Sequence, residues 1–126
     1  MVTGRRSGDL AATIRSGNFE IISGVLPQEG GTDDGPNPHR LLEAALASCT
    51  IITVQMYANR KGWPLKSTNV MVNIVKEDAT GTVLSREISF DGDLTDEQRD
   101  RLFEISNKCP LHKLLSGKIE IESRRV

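Results

Sequence analysis

The chain has 126 residues, of which 26% are Asp, Glu, Lys or Arg, and a formal net charge of −1. This composition fits a single domain over residues 1–126, and its interspersed charges offer no electrostatic footprint for nucleic acid or an anionic membrane. MVTGRRSGDL lacks the apolar core of a signal peptide, and no stretch is expected to reach the ~20 apolar residues of a membrane span, so a cytoplasmic protein is the expectation.

In chain order, the clusters Arg5-Arg6 and Arg124-Arg125 read as solvated or disordered ends. Asp9 to Arg15 and Asn18 to Val25 read as a β-hairpin whose turn is Ser16-Gly17. The turn-rich stretch from Gln28 to Pro36 predicts an irregular loop. Asn37 can then cap a helix, Pro38 suits its first position, and Gly62 before Trp63-Pro64 ends it. A helix from Pro38 to Lys61 would be about 36 Å long, enough to cross a domain of this size.

The face of that helix carrying Cys49 also holds Leu42, Ala45, Leu46, Ile52, Thr53 and Met56, and the opposite face offers Ala47 and Val54 beside Arg40, Glu43 and Thr50. Its middle is therefore expected to be buried nearly all round. One sheet covers only one side of a helix, so the surplus apolar surface predicts a homodimer with this helix at or near the interface.

Asn69 to Glu77 and Thr82 to Phe90 read as antiparallel strands around a turn at Asp78 to Gly81. Thr95-Asp96-Glu97-Gln98 is a capping box opening a second helix, with Leu102, Phe103 and Ile105 expected inward. Pro110 pushes Cys109 toward an extended conformation, so this helix should stop near Lys108. Lys118 to Arg124 alternates like a half-buried edge strand. The element order predicts an α+β domain of mainly antiparallel sheets packed on a long central helix.

Two cysteines in a reducing compartment leave burial, metal binding or redox chemistry as their uses. An inert core thiol suits Cys49 by position alone. For nucleophilic work Cys49 must become a thiolate, yet it lies some 11 residues beyond the helix start, too far for that dipole to help. A cation must come from elsewhere, and Arg15, His39 and Arg40 are the sources considered. A zinc set of His39, Cys49, Cys109 and His112 is disfavoured, because ten positions along a helix separate His39 and Cys49 by about 15 Å.

GPNPHRLLEAALASCT resembles the Gly-x-Asn/Ser-Pro segment and following Leu, Ala and Cys of the osmotically inducible protein C and organic hydroperoxide resistance (OsmC/Ohr) family, and CPLHKLL is similar to its second motif. The resemblance implies an intertwined α+β homodimer with active sites at the subunit interface. It further implies a thiol-dependent peroxidase for organic hydroperoxides, with no metal or flavin cofactor, in which Cys49 is peroxidatic and Cys109 resolving. An external dithiol, often a lipoyl group in the family, would reduce the resulting disulfide. In the peroxidase branches a glutamate after Asn-Pro orients an arginine against the reactive cysteine. His39 occupies that position here, Arg15 is the matching arginine and Arg40 the fallback, which places the chain nearer the broader OsmC-like branches. The alternative function is a non-catalytic dimeric module holding a small hydrophobic ligand or thiol adduct.

Overall fold

Three short antiparallel strands open the computed structural model, which describes Met1 to Val126 and divides into two units, Met1–Leu42 and Glu43–Val126. In the first unit, β1 (Thr3–Gly8), β2 (Ala11–Ser16) and β3 (Phe19–Ser23) lie in that order across one sheet. The β2–β3 hairpin is the expected one, with Gly17 at φ 58° in its turn. Strand β1 was not expected. Arg5 and Arg6 stay exposed, but their backbone pairs with Thr13 and Ala12, so this end of the chain is ordered by its neighbour and not left as a tail.

The loop after β3 contains one 3₁₀ turn, Pro27–Glu29, and returns across β3. There the Ser23 hydroxyl donates to the Pro36 carbonyl at 2.8 Å. A Cβ on Gly35 would stand 2.0 Å from the Ile22 carbonyl oxygen, a separation no side chain tolerates. Glycine is therefore required where the loop crosses the strand.

Helix α1 spans Pro38–Lys61, the predicted bounds. The Asn37 side-chain oxygen accepts from the Arg40 amide at 2.9 Å, and the helix ends with Gly62 at φ 65° while the Trp63 amide returns to the Ala58 carbonyl at 3.0 Å. These are the cap and the left-handed stop that the sequence advertised.

In the second unit, β4 (Leu65–Asp78) and β5 (Gly81–Gly92) form a long two-stranded antiparallel ribbon, followed by α2 (Asp96–Ser106) and α3 (Pro110–Ser116). Val54, Tyr57, Ala58, Leu65, Phe90, Leu102 and Ile105 form the core, with Trp63 and Ile88 packed against it. The Thr95 hydroxyl accepts from the Gln98 amide and the Gln98 side chain answers to the Thr95 amide, the predicted capping box. Arg99 fastens α2 to the end of β5 by donating to the Phe90 and Gly92 carbonyls. The α+β class with antiparallel sheets and a long helix is as expected.

Four expectations change. The packed face of α1 runs through Glu43, Leu46, Thr50, Val54, Tyr57 and Ala58, whereas Ile52 and Met56, on the Cys49 side, are 56% and 63% exposed. The helix is thus buried along one stripe within the chain, because the β4–β5 ribbon and α2 reach only one side of it. Phe103 is half-exposed while Leu102 and Ile105 are buried, since 100° per residue turns it away from the core. Lys118 to Arg124 forms no strand, because no strand edge within the chain pairs with it, and α3 occupies part of the stretch read only as a helix end. Finally, α1 is long and apolar enough to cross a membrane by length and composition, with a window of mean hydropathy 1.4. Its buried Glu43, which accepts the Ile74 amide at 2.9 Å, and its core contacts are those of a domain helix.

Candidate functional site

Cys49 lies mid-way along α1 and is half-buried, while Cys109 is fully buried at the junction of α2 and α3. The two thiols are neighbours, and each shifts the other's ionisation. Cys109 reaches Cys49 because α2 ends at Ser106 and Pro110 forces a new direction. Cys109 adopts φ −54°, ψ 132° and serves as the N-cap of α3, its sulfur accepting from the His112 amide at 3.5 Å. The predicted extended conformation is correct, and the helix that follows turns it into a cap.

The surroundings of Cys49 work against one another. Burial pushes its thiol up, but the hydrogen bond with Cys109, the Leu111 amide, the Thr53 hydroxyl and the charge of Arg86 more than offset this, so its pKa lies below the usual value. Cys109 moves the opposite way. Burial raises it first, and its hydrogen bond and proximity to Cys49 raise it further, despite the His112 amide. In a coupled pair this favours one proton on Cys109 and a thiolate on Cys49.

Arg86 comes from β5, where it shares the inward register with Leu84, Ile88 and Phe90. One terminal nitrogen donates to the Thr50 hydroxyl at 3.0 Å and to the Ser106 carbonyl at 3.2 Å; the other donates to the Asn107 side-chain oxygen at 2.8 Å. Thr50 donates its own proton to the Leu46 carbonyl at 2.7 Å, leaving a lone pair for Arg86. Burial lowers the guanidinium pKa and the two cysteine sulfurs oppose that shift. His112 is also lowered, by burial and then by the Arg86 charge, which favours neutral imidazole. A cavity of about 480 Å³ adjoins this cluster, with Leu46, Leu84, Phe103 and Leu115 among its apolar walls and Arg86 and His112 among its polar ones.

The sequence profile described as OsmC-like protein matches residues 31–124. The chain belongs to the OsmC-like proteins. Solved structures agree in fold. An osmotic stress induced and detoxification response protein from Psychrobacter arcticus superposes with TM-score 0.75 at 24% identity, over 90% of this chain and 85% of that one. An OsmC-like protein from Mycoplasma pneumoniae gives 0.75 at 20% identity, over 93% and 86%. An organic hydroperoxide resistance protein from Vibrio cholerae, with captopril bound in one of its active sites, gives 0.67 at 23% identity, over 95% and 87%. No curated protein matches the chain by sequence.

Within this OsmC-like chain, the two cysteines singled out by sequence come together. Arg15 lies on β2, where its Nε donates to Glu20 at 2.8 Å with the side chain 59% exposed. His39 sits exposed in the first turn of α1. His112, weighed as a zinc ligand against a partly exposed helix residue, lies half-buried in α3 beside Arg86 and Cys109, and no group of three or more His, Cys, Asp or Glu is arranged to hold a metal. Sequence reasoning missed Arg86 altogether. The signal was available in Leu84-x-Arg86-x-Ile88-x-Phe90, where period two puts an arginine on the apolar face of a strand.

Proposed function

We propose that the chain is a thiol-dependent peroxidase that reduces organic hydroperoxides through Cys49 and Cys109. The observation that carries this reading is the paired environment of the thiols: the half-exposed one is shifted toward thiolate, and its buried neighbour toward the protonated form. Membership of the OsmC-like proteins and the fold shared with hydroperoxide resistance proteins support it.

The steps follow from sulfur chemistry. The Cys49 thiolate attacks the terminal peroxide oxygen, the O–O bond breaks, and an alkoxide leaves to take up a proton as the alcohol. Cys49 is then a sulfenic acid. The Cys109 sulfur attacks it, forming the disulfide and releasing water. An external dithiol, such as a lipoyl group, exchanges with that disulfide, restoring both thiols and becoming oxidised itself. The apolar walls of the cavity suit the organic part of such a peroxide.

The exposed stripe of α1 with Ile52 and Met56 supports a homodimer in which a second copy covers it. Sedimentation at micromolar concentration should give twice the chain mass. For the chemistry, mixing reduced protein with one equivalent of cumene hydroperoxide should consume two thiols per chain and yield a Cys49–Cys109 disulfide by peptide mapping. Unchanged thiols at millimolar peroxide would exclude the peroxidase reading and leave the cavity as a binding site without turnover.

A further inference from the structure

The resemblance assigns the activation of the reactive cysteine to an arginine from the first hairpin, oriented by a glutamate after Asn-Pro. This chain has His39 in the glutamate's place, and Arg15 is engaged by Glu20 in a solvated pair. A different guanidinium is built into the cysteine cluster.

Arg86 bridges the residue directly after Cys49 and the residues two and three before Cys109, through Thr50, Asn107 and Ser106. It therefore ties the turn of α1 that carries one thiol to the end of α2 that leads to the other. Each of its three acceptors is neutral, being a hydroxyl, a carbonyl and an amide oxygen. They fix the guanidinium plane without cancelling its charge. An arginine clamped by a carboxylate spends part of its field on that partner; one clamped by neutral dipoles keeps it for whatever anion is nearby. Here the groups that hold the guanidinium's pKa up against its burial are Cys109 and Cys49, and of the two it is Cys49 that leans toward the anion.

We infer that Arg86, held by Thr50, Ser106 and Asn107, is the charge partner that favours the thiolate of Cys49, in a chain that has no glutamate after Asn-Pro to orient another arginine. This rests on Cys49 being the nucleophile proposed above. It also accounts for His39: a chain whose activating cation is anchored from β5 and α2 has no need of a carboxylate at the start of α1.

The groups facing Cys49 are Thr53 on its own helix, Cys109 and the Leu111 amide at the start of α3, and Arg86 from β5, with His112 beside Arg86. Of these Arg86 alone carries a fixed positive charge. The test is the pH profile of Cys49 alkylation by iodoacetamide, followed on the Cys49 peptide by mass spectrometry, in the wild type, Arg86→Met, Arg86→Lys and Arg15→Met.

Arg86→Met should raise the midpoint by about one unit, which is roughly a tenfold loss of alkylation rate at pH 7. Arg86→Lys, which keeps the charge but cannot hold three acceptors, should fall between Arg86→Met and the wild type, and Arg15→Met should coincide with the wild type. Far-UV circular dichroism and thermal midpoints confirm that each variant is folded. The inference is overturned if Arg86→Met leaves the profile unchanged, if Met and Lys shift it equally, or if Arg15→Met produces the shift. Alkylation needs no peroxide. A protein showing the Arg86 dependence but no reaction with cumene hydroperoxide would therefore refute the peroxidase reading and leave this one standing.

Discussion

Cys49 and Cys109 carry the same thiol and lean on one another, but one sits in the middle of a 24-residue helix and the other at the entrance to a seven-residue one. Burial pushes both toward the protonated form. They diverge because Cys49 has a neighbouring thiol, the Thr53 hydroxyl and a guanidinium charge besides the Leu111 amide, whereas Cys109, though it too meets the Leu111 amide and that of His112, is opposed by burial and by the growing charge of Cys49. Which thiol ionises is thus decided by the groups directed at it from its own helix, from β5 and from the start of α3, and depth of burial sets only the cost to be overcome. A mid-helix cysteine far from its own helix start can still be the one shifted toward thiolate.

The contrast can be broken outright by Cys49→Ser, which should bring peroxide consumption down to the buffer rate while leaving the Cys109 thiol intact to a thiol reagent in the unfolded protein. Leu102→Ala removes a fully buried core side chain of α2 and should cost about 2–5 kcal/mol in urea unfolding. Because α2 leads into Cys109, its loosening should also bring the reactivities of the two thiols closer together. Cys109→Ala separates the chemical steps: the first equivalent of peroxide should still react, leaving a Cys49 sulfenic acid that dimedone traps, but no disulfide forms. Its alkylation midpoint should move up, since the thiol donor to Cys49 is gone. In the wild type the single-turnover rate should rise with pH and level off below the ordinary thiol value of about 8.5, as a depressed pKa requires. The smallest effect belongs to Thr50→Val, which deletes one acceptor of Arg86. A stability loss of about 1 kcal/mol and a slight rise in the Cys49 midpoint are expected.

Elements that begin and end with their own chemistry were legible in the sequence. Asn37-Pro38 and Gly62 bounded α1 to the residue, and Thr95 with Gln98 marked the start of α2. Features that depend on a distant neighbour were not. Arg5 and Arg6 looked like a tail until β2 was placed beside them. The sidedness of α1 was misjudged because Glu43 and Thr50 are polar by type, though both are satisfied within the packed face, Glu43 by the Ile74 amide and Thr50 by Leu46 and Arg86. Arg86 itself was hidden by the habit of reading a charged residue in a strand as solvent-facing. Its register between Leu84 and Ile88 said otherwise.

The cap of α3 has a consequence of its own. Its first turn is closed by the Cys109 sulfur accepting the His112 amide, so a helix boundary that is ordinarily set by an oxygen is set here by a thiol sulfur. Were that sulfur drawn into a bond with Cys49, the electron density offered to His112 would change with it. The stability of the first turn of α3 would then depend on the state of the sulfur that caps it.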